Sequence, residues 1–180
     1  MIESFQSSWD RFYGELAPYG WAVRGSDALY WTRFHSLPES KRYAEDESEW
    51  RVVLQRANTL ASETLGGAST VWLVIPITGN SAVAHVSELG LSDRATFQIE
   101  DEEGSQEFAA GRVSWNAGKF DPLIRDIADD RLRALWFDPK SGTVFAPYDG
   151  GTDLFLPTVE QVEQLRANYP DWLSSHPLGL

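Results

Sequence analysis

Cysteine is missing from the chain, which excludes a disulfide framework, a thiolate nucleophile and any zinc site built on thiolates. Long apolar runs are missing too. None approaches the ~20 residues needed to span a bilayer, and the opening MIESFQSSWDRF has neither the basic segment nor the apolar stretch of a secretion signal. The expectation is a cytoplasmic chain with no membrane attachment. Basic residues are scarce, 15 Lys and Arg against 27 Asp and Glu, for a formal net charge of -12. Such a field repels a phosphate backbone and attracts a basic partner, so direct nucleic-acid binding is not expected. Repeats, low-complexity tracts and flexible linkers are also absent, which points to one globular domain over residues 1–180.

What is present is a large apolar complement: the chain is 42% hydrophobic, with eight Trp, nine Phe and six Tyr, too rich in large side chains for a disordered protein. Phe5, Trp9, Phe12, Tyr13 and Leu16 recur at helical spacing and predict a first helix from Ser4 to Leu16, broken by Pro18-Tyr19-Gly20. Ala28 to His35 is β-prone and sets Tyr30, Thr32 and Phe34 on one face. The stripe Trp50, Val53, Leu54, Ala57, Leu60, Ala61 and Leu65, preceded by acids and followed by Gly66-Gly67, is the clearest helix. Thr70 to Pro76 is a continuous apolar run suited to the middle of a sheet. Two strands, Ala95 to Glu100 and Glu107 to Trp115, flank an exposed hairpin loop, and a third helix covers Pro122 to Asp130. Arg133 to Phe137 and Thr143 to Ala146 form a hairpin around Asp138-Pro139-Lys140-Ser141-Gly142. A last helix follows Pro157, with Thr158 and Gln161 spaced as a capping box; Val159, Val162, Leu165 and Tyr169 are its stripe, and Pro170 its end. Together these predict an α+β fold, a mainly antiparallel sheet packed with about four helices.

Three groups of residues are candidates for function. The first is Tyr148-Asp149-Gly150-Gly151-Thr152-Asp153, two carboxylates and two glycines at a strand end. Gly150 and Gly151 allow positive φ at successive positions, and Asp149 is suited to accept from backbone amides two residues on, so Asp149, Gly150, Gly151 and Asp153 read as a structural loop. As a metal site the loop is under-supplied, two carboxylates where calcium takes ~6–8 oxygens. The second group is the acids, in clusters Glu45, Asp46, Glu47 and Glu49, then Glu100, Asp101, Glu102 and Glu103, then Asp126, Asp129 and Asp130. Charged clusters of this kind keep a surface soluble and also suit a basic partner. The third is Ser175-His176, which adjacency alone does not make a catalytic pair. His35 and His85 stand in no metal-ligand pattern. No catalytic set, metal centre or cofactor is expected.

The stretches Phe145-Ala146-Pro147-Tyr148-Asp149-Gly150-Gly151 and Asp171-Trp172-Leu173-Ser174-Ser175-His176-Pro177 resemble the C-terminal signature of an uncharacterised family of small bacterial proteins, classed as a domain of unknown function. The likeness extends to His35 through Ala44 and to Arg56-Ala57-Asn58-Thr59. It implies no established activity or catalytic residue. Small acidic proteins of this kind are often encoded beside polymorphic toxins as immunity proteins, so the resemblance implies a protein partner: a cognate toxin, basic and acting on nucleic acid or a nucleotide. The expected partner-binding residues are Glu45, Asp46, Glu49 and Glu100 to Glu103. Two other readings stay open: a small hydrolase or transferase with its site near the Tyr148–Asp153 loop, and a small-molecule-binding or scaffold domain. The enzyme reading gains if two or more of Arg33, His35, Lys41, Arg42, Asp149 and His176 converge in one concave pocket with strongly shifted pKa values.

Overall fold

Alternation along one apolar strand sets up the architecture. The computed structural model describes residues 3–26, 30–68, 70–99 and 104–175. In chain order it contains α1 (Phe5–Tyr13), α2 (Gly20–Arg24), β1 (Tyr30–His35), α3 (Glu47–Leu65), β2 (Val71–Pro76), α4 (Gly79–Glu88) and β3 (Asp93–Gln98). There follow β4 (Ser105–Val113), α5 (Asp121–Ala128), β5 (Leu135–Phe137), β6 (Val144–Tyr148), β7 (Gly151–Leu156) and α6 (Val159–Asn168). Single 3-10 turns lie at Pro38–Ser40 and Pro170–Trp172. Every residue of β2 is buried, and successive side chains serve opposite faces: Val71, Leu73 and Ile75 join one core, Trp72 and Val74 the other.

The strands form one seven-stranded sheet in the order β1-β7-β6-β5-β2-β4-β3, antiparallel at every junction. Helices cover both faces. On one side Ala57, Leu60, Ala61 and Leu65 of α3 pack with Leu123 and Ile127 of α5, Val162 and Leu165 of α6, and Trp136, Phe145 and Leu154 of the sheet. On the other, Phe5, Trp9 and Tyr13 of α1 and Val23 of α2 meet Trp72, Phe97, Phe108, Phe137 and Phe155. This is an α+β fold of three layers.

The differences from expectation are local. The first helix ends at Tyr13 rather than Leu16, because Gly14 adopts φ 57° and its amide closes the helix on the Asp10 carbonyl. Six α-helices are described where about four were expected; α2 has only five residues, and α4 carries its core face on Ala82, His85 and Val86 alone. The centre of the sheet is β5, and β2 lies beside it. Tyr30, placed on one face with Thr32 and Phe34, stands 52% exposed at the start of β1, while the other two are buried. The strand reading of Ala28 and Leu29 and the hairpin positions Glu100 to Glu103 lie outside the described residues. Thr158 caps α6 as the spacing predicted, accepting from the Gln161 amide, whereas Val159 of the predicted stripe is exposed.

Candidate functional site

The Asp149-Gly150 pair is the whole connection between β6 and β7, with Tyr148 facing Gly151 across the hairpin. Gly150 has φ 133°, a conformation open only to glycine. Gly151 is different from what the sequence suggested, since it has no positive φ. Its constraint is space. A Cβ there would lie 2.5 Å from the Phe34 carbonyl oxygen of β1 and 2.7 Å from the Tyr148 hydroxyl.

Asp149 is also not the local turn-former expected. Its buried carboxylate accepts from the Tyr43 hydroxyl at 2.9 Å and from Arg133 Nη2 at 3.4 Å and forms an ion pair with Arg42, whose Nε lies 2.7 Å away and donates its hydrogen to the Asp149 carbonyl at 3.0 Å. The loop is therefore a tertiary anchor. Asp153 lies within β7, opposite Arg33 of β1, and the two form a bidentate pair at 2.8 and 3.0 Å. Trp31 Nε1 also donates to Asp153, at 3.1 Å. Burial opposes the Arg33 charge, but the hydrogen-bonded Asp153 carboxylate outweighs it and holds the guanidinium above its ordinary pKa. Both carboxylates of the loop are thus occupied by arginine, and no group of three or more potential metal ligands occurs among the described residues.

The stretches that carry the family resemblance meet at this end of the sheet. Ser36 donates its amide to the Gly150 carbonyl at 2.9 Å, Arg56 Nη1 donates to the His35 carbonyl at 2.9 Å, and the Arg56 guanidinium lies 5.1 Å from the Trp172 ring centroid. Trp172 stacks on Tyr169 at 4.2 Å, and Leu173 bridges to Phe34. Burial, aided by Arg33 and Arg56, lowers the His35 pKa although a hydrogen bond with the Gly150 backbone works the other way, and His35 Nε2 is buried without a partner. His176 and Pro177 lie outside the described residues.

Two concavities flank α2. The first, about 280 Å³, is lined by Pro18 to Trp21, Arg24, Arg33, Arg42, Arg133 to Leu135, Ala146 to Asp149, and Asp153. Three of the six named residues, Arg33, Arg42 and Asp149, lie in this cleft, which meets the convergence that the enzyme reading asks for; His35 and Lys41 do not line it. Its chemistry is cationic, four guanidinium groups against two carboxylates. Burial pushes the Tyr148 phenol up to about 12, away from the range in which a general base works near neutral pH. The second concavity, about 640 Å³, lies between α1, α2 and the edge strand β3; it is lined by Gln6, Asp10, Glu15, Leu16, Ala17, Trp21, Ala22 and Thr96 to Ile99. No basic residue among the described ones lines it.

The acidic clusters divide. Asp46 caps α3, accepting from the Glu49 amide at 2.9 Å and the Ser48 hydroxyl at 2.6 Å. Glu49 takes Lys41 Nζ at 2.7 and 2.9 Å together with the Glu45 amide at 2.7 Å, and Glu45 pairs with Lys41 at 3.0 Å. These contacts lower the pKa of Asp46, chiefly through Ser48, and of Glu49, chiefly through Lys41. This cluster is largely engaged in starting its own helix. Asp126 is held by His85, Ser81 and Arg131, and Asp130 by Arg133. Glu100, Asp101, Glu102 and Glu103 lie outside the described residues; in the chain they directly follow Ile99, the last residue of the acidic groove's lining.

The fold and the anchored hairpin define a small α+β protein whose signature residues form a structural knot beside a cationic cleft. The chain belongs to the family described as domain of unknown function DUF3885, whose model matches residues 21–177. No curated protein and no solved structure matches it significantly.

Proposed function

We propose that this protein acts by binding a basic protein partner, in the manner of an immunity protein that occludes a toxin's active site. The observation that carries the reading is the groove between α1, α2 and β3: at about 640 Å³ it combines carboxylates, Asp10 and Glu15, with an apolar floor of Leu16 and Phe97 and with Trp21, which is 47% exposed. Aromatic anchors supply most of the energy at protein interfaces, and complementary charge supplies capture rate and selectivity. A cleft shaped for RNA, DNA or a nucleotide is basic, so carboxylates seated in it stand in for phosphate. Glu100 to Glu103 continue the acidic character in sequence, whereas Glu45, Asp46 and Glu49 are tied to Lys41 and the helix cap, which makes them the lesser contributors.

The test uses the product of the neighbouring reading frame, which this reading requires to be a basic protein. Co-expression is expected to protect cells from it, and surface plasmon resonance is expected to show a complex. D10N/E15Q and the fourfold neutralisation of Glu100 to Glu103 should each slow association at low salt. Wild-type association rates in both variants, with both folded, reject the electrostatic interface.

A further inference from the structure

We infer that the cationic cleft beside α2 is a binding site for a small phosphate monoester carried on a flat ring, a nucleoside monophosphate in kind. In a protein with net charge -12, four arginines line one cleft of about 280 Å³. Their donors are not all used. Arg33 is consumed by Asp153 in a bidentate pair. Arg133 places Nη2 on Asp130 at 2.7 Å and on Asp149 at 3.4 Å, but its Nη1 is buried with no hydrogen-bond partner. A buried donor left unmade is costly, and a guanidinium N–H is met best by an oxyanion. Arg42 engages Asp149 through Nε, and its side chain stays 64% exposed. Arg24 forms no ion pair among the described residues; its guanidinium lies over the Trp31 ring at 5.8 Å.

Three guanidinium groups with donors to spare, from α2, from the segment before α3 and from the segment before β5, suit the three terminal oxygens of a phosphate dianion better than one carboxylate. At the cleft's rim Trp21 stacks on Tyr19 at 5.3 Å and 19°, a flat aromatic surface for a ring to lie on. The volume, just below the ~300 Å³ at which small-molecule sites begin, suits a single phosphate ester and not a polymer. Catalysis is not part of the inference. Trp21 lines both concavities, but Arg24, Arg33, Arg42 and Arg133 do not line the acidic groove, so the arginine variants test this site apart from the partner interface.

The test is a heteronuclear NMR titration of the full chain with AMP, inorganic phosphate and citrate. AMP is expected to shift the amide signals of Gly20, Trp21, Ala134 and Asp149 saturably, with phosphate weaker at the same signals and citrate weaker than AMP. R24Q and R133M are each expected to weaken AMP binding by tenfold or more, and R166Q, on the exposed face of α6, to leave it unchanged. If thermal unfolding shows R133M misfolded, R24Q decides, since Arg24 holds no ion pair among the described residues. Shifts that fail to saturate, that lie away from the cleft, or that respond equally to R166Q overturn the inference. So do AMP binding no tighter than phosphate or citrate, and a folded R24Q that binds AMP like wild type.

Discussion

Asp149 links three separate parts of the chain through one carboxylate, so its removal leaves Arg42 Nε with only a backbone carbonyl and Arg133 Nη2 with only Asp130. Breaking a buried ion pair from one side costs about 3–5 kcal/mol, and because Arg42 is largely exposed the lower end applies; D149A should unfold at markedly lower denaturant than wild type while D149E partly recovers. Gly151→Val should destabilise by about 1–3 kcal/mol, the overpacking range, by pressing on the Phe34 carbonyl; an unchanged melting temperature would contradict the close approach. His35 adds a pH dependence. Its folded-state pKa lies below the unfolded value of about 6.5, so the unfolded chain binds the extra proton. Stability from this residue is full above about pH 6.5 and falls as pH drops below it. His35→Gln should flatten that slope in urea titrations between about pH 6.5 and 5, above the range where the lowered carboxylates Asp46, Glu47, Glu49 and Asp126 protonate. None of this was legible in the sequence. Gly150-Gly151 announced a turn, but the partners of Asp149 stand 106 and 107 residues away at Tyr43 and Arg42, beyond the reach of any local pattern.

Elements were legible in proportion to how much of their stabilisation is local. The stripe, acidic start and glycine end of α3 all lie within its own stretch, and β2 declares itself by an unbroken apolar run. The three-residue strand β5 was found through the turn that follows it. Helix α2, at five residues, has no period to read and exists because Val23 is buried against the sheet. Helix α4 did carry a signal, Ala82, His85 and Val86 at helical spacing, but too short a one to stand out from the loop around it. The same local logic yields a prediction for the acidic start of α3. D46A removes the cap that holds the Glu49 amide and should lower the melting temperature by a few degrees without touching partner association. A D46A variant that keeps its melting temperature but binds the partner more slowly would move this cluster from the fold to the interface.

At the scale of the molecule, surface charge and fold are separable. The net charge of -12 governs how the protein meets its surroundings, and capture of a basic partner should slow as salt rises, since the Debye length shrinks from about 10 Å at 0.1 M to about 3 Å at 1 M. The dissociation rate should change far less, because it reports the short-range contacts around Trp21. A dissociation rate as salt-sensitive as the association rate would place ionic contacts at the centre of the interface.

The pairing of β1 with β7 has a consequence in time. Tyr30 and Leu156 are register partners across the sheet, so a strand made early on the ribosome has no neighbour until the last strand follows. At elongation rates of about 5–20 residues per second that interval is on the order of ten seconds, during which Trp31 and Arg33 lack the Asp153 that will hold them. The cationic cleft, built from Arg33 and Arg42 on one side and Arg133, Tyr148 and Asp153 on the other, cannot be assembled before then. A nascent chain halted before Gly151 thus presents a partial sheet with an open edge, and the cleft takes shape only when β7 joins β1.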